Sequence, residues 1–129
     1  MKKNVWIMVL FFLMSSFSMN LVAQENLDAL VKKCETMTSV EMNYVYKKNS
    51  KTQKFEPAVI TIMISKDKDQ KLIDEFLAAF KKDEENAAQL IESKKGGQRT
   101  SVFCEFKNVS YSFSLGQEDR SASISVIYQ

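Results

Sequence analysis

The chain of 129 residues contains no histidine, a single proline, three glycines, two cysteines and one tryptophan. The missing histidine removes the side chain most often used as a general base near neutral pH and the commonest metal ligand. Two cysteines without histidine cannot assemble a tetrahedral Cys/His zinc site. Glycine is too scarce for a phosphate-cradling loop. The lone Pro57 and few glycines also exclude collagen-like and flexible-linker sequence. No metal, cofactor or catalytic constellation is expected. Long apolar runs are missing too, except at the start.

That start reads as an export signal. Met1-Lys2-Lys3 supplies positive charge, Val5 to Phe17 a short apolar run, and Leu21-Val22-Ala23 a small-residue cleavage site before Gln24. The run is too short to serve as a mature membrane span. Residues 1–23 are therefore expected to be cleaved, and residues 24–129 to act outside the cytoplasm, periplasmic or secreted. The formal net charge of +2 comes from Lys2 and Lys3, so residues 24–129 are neutral, with 16 basic and 16 acidic side chains. Nucleic acid is not an expected partner of such a chain.

An exported domain of this size holds one modest core. Cys34 and Cys104 both fall on faces read as buried, and outside the cytoplasm such a pair is expected as a disulfide. It would close a loop of about 70 residues and contribute about 4 kcal/mol.

Periodicity lays out the domain. Leu27, Leu30, Val31 and Cys34 form one helical face within Glu25 to Met37. Val40 to Lys48 alternates as a strand, and Phe55 to Ser65 follows a polar turn as its hairpin partner. Pro57 cannot donate a ladder bond, so regular pairing is expected beyond it. Asp67 to Lys94 reads as helical, capped by Asp67 with Gln70, striped by Leu72, Ile73, Phe76, Leu77 and Phe80, and ended by Gly96-Gly97. Thr100 to Lys107, Val109 to Leu115 and Ser121 to Gln129 alternate as strands, with Gly116 to Arg120 turning into the last. The expected fold is α+β: a five-stranded antiparallel sheet with helices on one face, in the order αββαβββ.

The stretches Lys47-Lys48-Asn49-Ser50-Lys51-Thr52-Gln53-Lys54-Phe55-Glu56 and Ala79-Phe80-Lys81-Lys82-Asp83-Glu84-Glu85-Asn86-Ala87 resemble a family of small secreted bacterial proteins classed only as a domain of unknown function. So do the tyrosine- and serine-rich last strands. The resemblance covers nearly all of residues 24–129. It implies export and a compact α+β fold, and supplies no catalytic residues.

Individual motifs carry little chemistry. Ser65-Lys66-Asp67-Lys68 matches a serine–x–x–lysine nucleophile pattern, but that chemistry needs partner motifs and a larger fold. Asp67 and Asp69 open like a calcium loop whose remaining ligands are missing. Lys47, Lys48, Lys51 and Lys54 would suit an anionic glycan or lipid head group, although lysines at a strand edge commonly prevent aggregation. Asn108-Val109-Ser110 is an N-glycosylation acceptor only in a eukaryotic secretory route.

The outer sheet face offers more. Ser110, Ser112 and Ser114 on one strand, with Ser121, Ser123 and Ser125 on another, oppose the core positions. Val59, Met63 and Phe103 also point outward and are expected to meet as a small apolar patch, the usual mark of an interface. The function expected is a non-enzymatic exported binding or assembly module whose contact face is this surface, with a protein partner or a second copy as occupant. The alternatives are a cystatin-like peptidase inhibitor wedging through the Gly116 loop, a small carboxylate enzyme, or a glycan-binding accessory.

Overall fold

The computed structural model describes residues 23–116 and 121–129. The expected signal segment, apart from Ala23, and most of the Gly116–Arg120 turn lie outside the described residues.

Helix α1 spans Glu25–Cys34, strand β1 Val40–Lys48 and strand β2 Phe55–Ile64. Helix α2 covers Lys66–Asp83 and runs into a short 3-10 turn, Glu84–Asn86. Strands β3 (Gln89–Lys95), β4 (Gln98–Glu105), β5 (Val109–Leu115) and β6 (Ala122–Tyr128) complete the described chain. They form one antiparallel sheet in the order β1-β2-β6-β5-β4-β3.

The sheet therefore has six strands rather than the expected five, and the element order is αββαββββ. Residues 87–94, expected as the end of a long helix, contain most of β3 instead. Ala87, Gln89, Leu90, Glu92 and Lys94 are good helix formers, and Ala87, Leu90 and Ile91 have helical spacing. Tertiary pairing overrides that preference, because β3 ladders onto β4 from Gln89↔Glu105 to Lys95↔Gln98. Gly96 and Gly97 have φ of 61° and 80°. Two consecutive positive-φ residues make the two-residue hairpin turn whose twist matches antiparallel strands, not a helix cap.

The start of α2 also differs from expectation. Asp69 leaves helical geometry, with φ −155° and ψ 70°. Its Oδ1 accepts the backbone N–H of Leu72 at 3.0 Å, and its Oδ2 accepts the Ser39 hydroxyl at 3.2 Å. Asp69 is thus the working cap of the main helix, three residues before Leu72. Gln70 donates instead to Asp74.

One core lies between the helices and one face of the sheet. Leu27, Val31, Leu72, Ile73, Phe76 and Phe80 from the helices pack on Ile60, Ile62, Ile64, Val102, Tyr111, Phe113, Ile124 and Val126. Phe80 meets Phe113 edge-on at 6.2 Å between ring centroids. Tyr44 stays exposed on the edge strand β1 and stacks with Tyr46.

The helices run antiparallel, as their contacts show: Lys33 near the end of α1 meets Glu75 in mid-α2, while Asn26 and Leu27 meet Asp83 at its end. Asp83 is 2 % exposed. Its Oδ2 accepts the Leu27 N–H and its Oδ1 the Asn26 amide, both at 2.7 Å. Gln24, at the cap position of α1, makes no side-chain cap bond. The first turn of α1 is therefore capped from another helix, where a carboxylate also complements its dipole.

Candidate interaction face

Because both helices serve one face of the sheet, the strand residues of opposite parity form the other. The ladder fixes their arrangement. One row across the sheet reads Val45, Val59, Ile127, Ser110, Glu105, Gln89. The middle row reads Asn43, Thr61, Ser125, Ser112, Phe103, Ile91. The third reads Glu41, Met63, Ser123, Ser114, Ser101, Ser93. Within these three rows only Glu41 and Glu105 carry charge; Lys47 and its partner Glu56 follow beyond the bulge at the hairpin end. The solvent face of an antiparallel sheet commonly bears many charged side chains, so this low charge density distinguishes the face.

Val59, Met63 and Phe103 do share the face, but they do not form the single patch expected. Val59 and Met63 stand on β2 and Phe103 on β4, three strand spacings away, or roughly 14 Å. Each acquires other apolar neighbours. Val59 lies between Val45 and Ile127, and Phe103 beside Ile91. Val45 is 59 % exposed, Ile91 54 % and Ile127 42 %. Sequence reasoning missed these three. Ile127 continues the Ser123–Ser125 parity and was legible there; Ile91 needed β3 to be recognised as a strand.

The serines fill the centre between the two apolar groups. Ser110 is buried, Ser112, Ser123 and Ser125 are half-buried, and Ser114 is exposed. Ser121, half-buried, precedes β6, and its carbonyl accepts the Gly116 N–H.

The sheet edges are guarded. A register shift interrupts β1 at Val45/Tyr46, opposite Pro57, and another interrupts β3 at Ser93/Lys94. Lys47, Lys48, Lys94 and Lys95 follow these bulges. Bulges and lysines both discourage strand addition at an edge.

The shift in the β3–β4 pair leaves Thr100 as the extra residue and brings Arg99 to the helix side. There its Nη2 meets Glu84 at 2.5 Å and its Nε meets Glu92 at 2.7 Å. Burial works against both charges, but the Arg99 contact lowers the Glu92 pKa and the two carboxylates raise that of Arg99. This triad ties the 3-10 turn to the β3–β4 hairpin.

Two further acids, Asp28 and Asp83, serve the fold. Asp28 accepts the hydroxyl of buried Tyr111. Burial raises the Asp28 pKa, the Tyr111 hydrogen bond opposes it, and nearby Asp83 adds to it. The Tyr111 hydroxyl is pushed well above its ordinary range, by burial first and then by Asp28. Asp83 has both oxygens engaged in capping. Among the described residues no group of three or more Cys, Asp or Glu side chains is placed to hold a metal ion.

Two open clefts flank the core side. One of about 340 Å³ lies between α2 and the β4–β5 end, lined by Lys66, Asp74, Lys95 and Thr100. The other, about 430 Å³, lies at the β1–β2 hairpin and carries Lys47, Lys48, Lys51 and Tyr128. The basic cluster expected at that turn therefore surrounds a shallow groove.

The expected disulfide is not formed. Cys34 and Cys104 are free, buried thiols. Leu27 meets Asp83, which also acts on Cys104. Cys34 lies seven residues farther along α1, roughly 10 Å at helical rise, where Asp69 and Glu75 act on it instead. Cys34 ends α1, while Cys104 stands on β4 between Leu90 of β3 and Tyr111 of β5. Burial pushes each thiol up to about 11.

Among the described residues no helix is long and apolar enough to cross a membrane. No curated protein and no solved structure matches the chain. A family model described as a domain of unknown function matches residues 24–127, nearly the whole span that folds into this two-helix, six-stranded unit, and the chain belongs to that family, DUF5024.

Proposed function

We propose that this protein is a non-enzymatic, exported binding or assembly module that acts through the open face of its sheet. The observation that carries the reading is the register of that face: three rows across six strands with two charges, a serine centre, and apolar groups on both flanks. Such a surface loses little on dehydration. Small central side chains let a flat partner approach closely, and the flanking Val59, Met63, Phe103 and Ile91 supply the apolar contact. The bulged, lysine-bearing edges favour the face over strand addition as the mode of contact. Export is supported by the signal-like residues 1–23, and the family match begins at Gln24. The occupant is a protein surface of comparable flatness.

The test is the double variant Met63→Glu with Ser112→Glu, one residue in the β2 apolar group and one in the serine centre. Both positions lie outside the core, so the melting temperature should stay within a few degrees of wild type. Self-association and cross-linked partners from the native envelope should fall together. A variant that folds normally and keeps the wild-type association state and partners would place the binding surface elsewhere.

A further inference from the structure

Resting on the reading of the open face as a protein-binding surface, we infer that its occupant is a second copy of this chain. The two copies pack sheet to sheet about a two-fold axis that lies in the interface and runs across the strands along the middle row. The register selects this axis. An in-plane axis along the middle row reverses the strand direction, so each outer row of one copy meets the other outer row of its mate, and the middle row meets itself. Val59 then faces Met63 of the second copy, Phe103 faces Phe103, Ile91 faces Ile91, and Ser112 faces Ser112. The other in-plane two-fold, parallel to the strands between β5 and β6, sets Val59 on Glu105 and Phe103 on Thr61. It wastes the apolar residues and buries a carboxylate against an aliphatic side chain on inner strands, whereas the first axis makes such a pairing only at the exposed β1 edge, where Glu41 meets Val45. About the first axis no charge opposes a like charge, and Glu105 meets Ser101, which can donate a hydrogen bond to it. A closed two-fold contact of this kind is self-complementary by construction.

The area agrees. Six strands about 4.8 Å apart, with seven residues each at about 3.3 Å, give a face of roughly 550–650 Å², so a dimer buries about 1,100–1,300 Å². That reaches the lower end of the range for specific interfaces and implies a weak, concentration-dependent dimer. Aligned sheets pack closest at their centre, where Ser112 and Ser125 leave room for the backbones.

Single-cysteine variants of the full chain test the axis. Cys34 and Cys104 are buried and keep their protons to about pH 11, so they stay silent to a maleimide at neutral pH. With the shortest bismaleimide as probe, Ser112→Cys should cross-link to itself. Ser101→Cys and Glu105→Cys, both at half-buried positions, should cross-link only when mixed, because each lies roughly 13 Å along the strands from its own counterpart. Ile91→Glu sets two carboxylates face to face on the axis and should weaken dimerisation at least tenfold. Equal self-cross-linking of Ser101→Cys and Ser112→Cys would overturn the axis. A monomer at millimolar concentration with no cross-link would overturn the second copy as occupant. In that case the broader reading of the face stands if Met63→Glu with Ser112→Glu still loses a foreign partner, and falls if it does not.

Discussion

Replacing Asp83 with alanine should destabilise the domain more than any other single polar substitution outside the core. The carboxylate is 2 % exposed and accepts the Leu27 N–H and the Asn26 amide, both at 2.7 Å. An ordinary N-cap loss costs about 1 kcal/mol, from a range of 0.5–2. Here the orphaned Leu27 N–H lies beneath α2, away from water that might replace the bond, so the cost rises to about 2–3 kcal/mol. Against a total stability of about 5–15 kcal/mol, that corresponds to a fall in melting temperature of about 10–20 °C for a domain near 100 residues. Asp83→Asn isolates the bond to Leu27. It keeps an acceptor for Leu27 but sets an NH2 against the Asn26 amide, so it loses the charge at the α1 N-terminus, about 0.5–1 kcal/mol, and the part-buried Asn26 hydrogen bond, about 0.5–1 kcal/mol. Urea unfolding monitored by far-UV circular dichroism reads both. An Asp83→Ala midpoint within 0.5 kcal/mol of wild type would refute the inter-helix cap.

Further outcomes follow from the thiols and the glycine turn. Native protein should yield no alkylated cysteine at neutral pH and two once denatured; a disulfide-linked mass would contradict the free pair. Both thiols are held up to about 11 from an ordinary 9. Below pH 9 folded and unfolded chains both keep these protons; above it the unfolded chain loses them first, so stability falls as pH rises from 9 to 11, by at most about 1.4 kcal/mol per pH unit per thiol. Cys34→Ala with Cys104→Ala should flatten that slope in urea titrations. Gly97 sits at φ 80° with nothing within 4 Å of an added Cβ, so Gly97→Ala should cost about 1–2 kcal/mol through backbone strain alone. A neutral result by thermal melt would mean that the β3–β4 turn is not as described.

The parts of the fold legible in the sequence are those where alternation and burial agree. β1 and β5 have the expected bounds, and β6 differs by one residue at each end, because every second residue facing the core is apolar and, apart from Val45 and Ile127, every intervening one is polar. Residues 87–95 lack that contrast. Leu90 and Ile91 are adjacent, the neighbours are helix formers, and the stabilising partner β4 is a tertiary contact that local spacing does not encode. Gly96-Gly97 carried the missing signal, since two glycines between two runs fit a hairpin as well as a helix end. Spacing points to Asp67 with Gln70 as the cap, and the Ser39 hydroxyl that helps hold Asp69 in that role lies in a distant segment. The same limit affected the site. Parity put Val59, Met63 and Phe103 on one face, but only the strand order separates them and supplies Val45, Ile127 and Ile91 as their neighbours. The disulfide expectation rests on an exported setting and on burial, and neither says anything about distance.

The central claim is that the open sheet face, not the helix side, carries the contact. Sedimentation velocity across a dilution series tests it most directly, comparing wild type with Phe103→Glu on the open face and Phe55→Glu on the helix side of the β1–β2 hairpin. Wild type and Phe55→Glu should associate equally as concentration rises, and Phe103→Glu should remain monomeric with an unchanged fold. Association of Phe103→Glu at wild-type strength, or its loss in Phe55→Glu alone, would contradict the account.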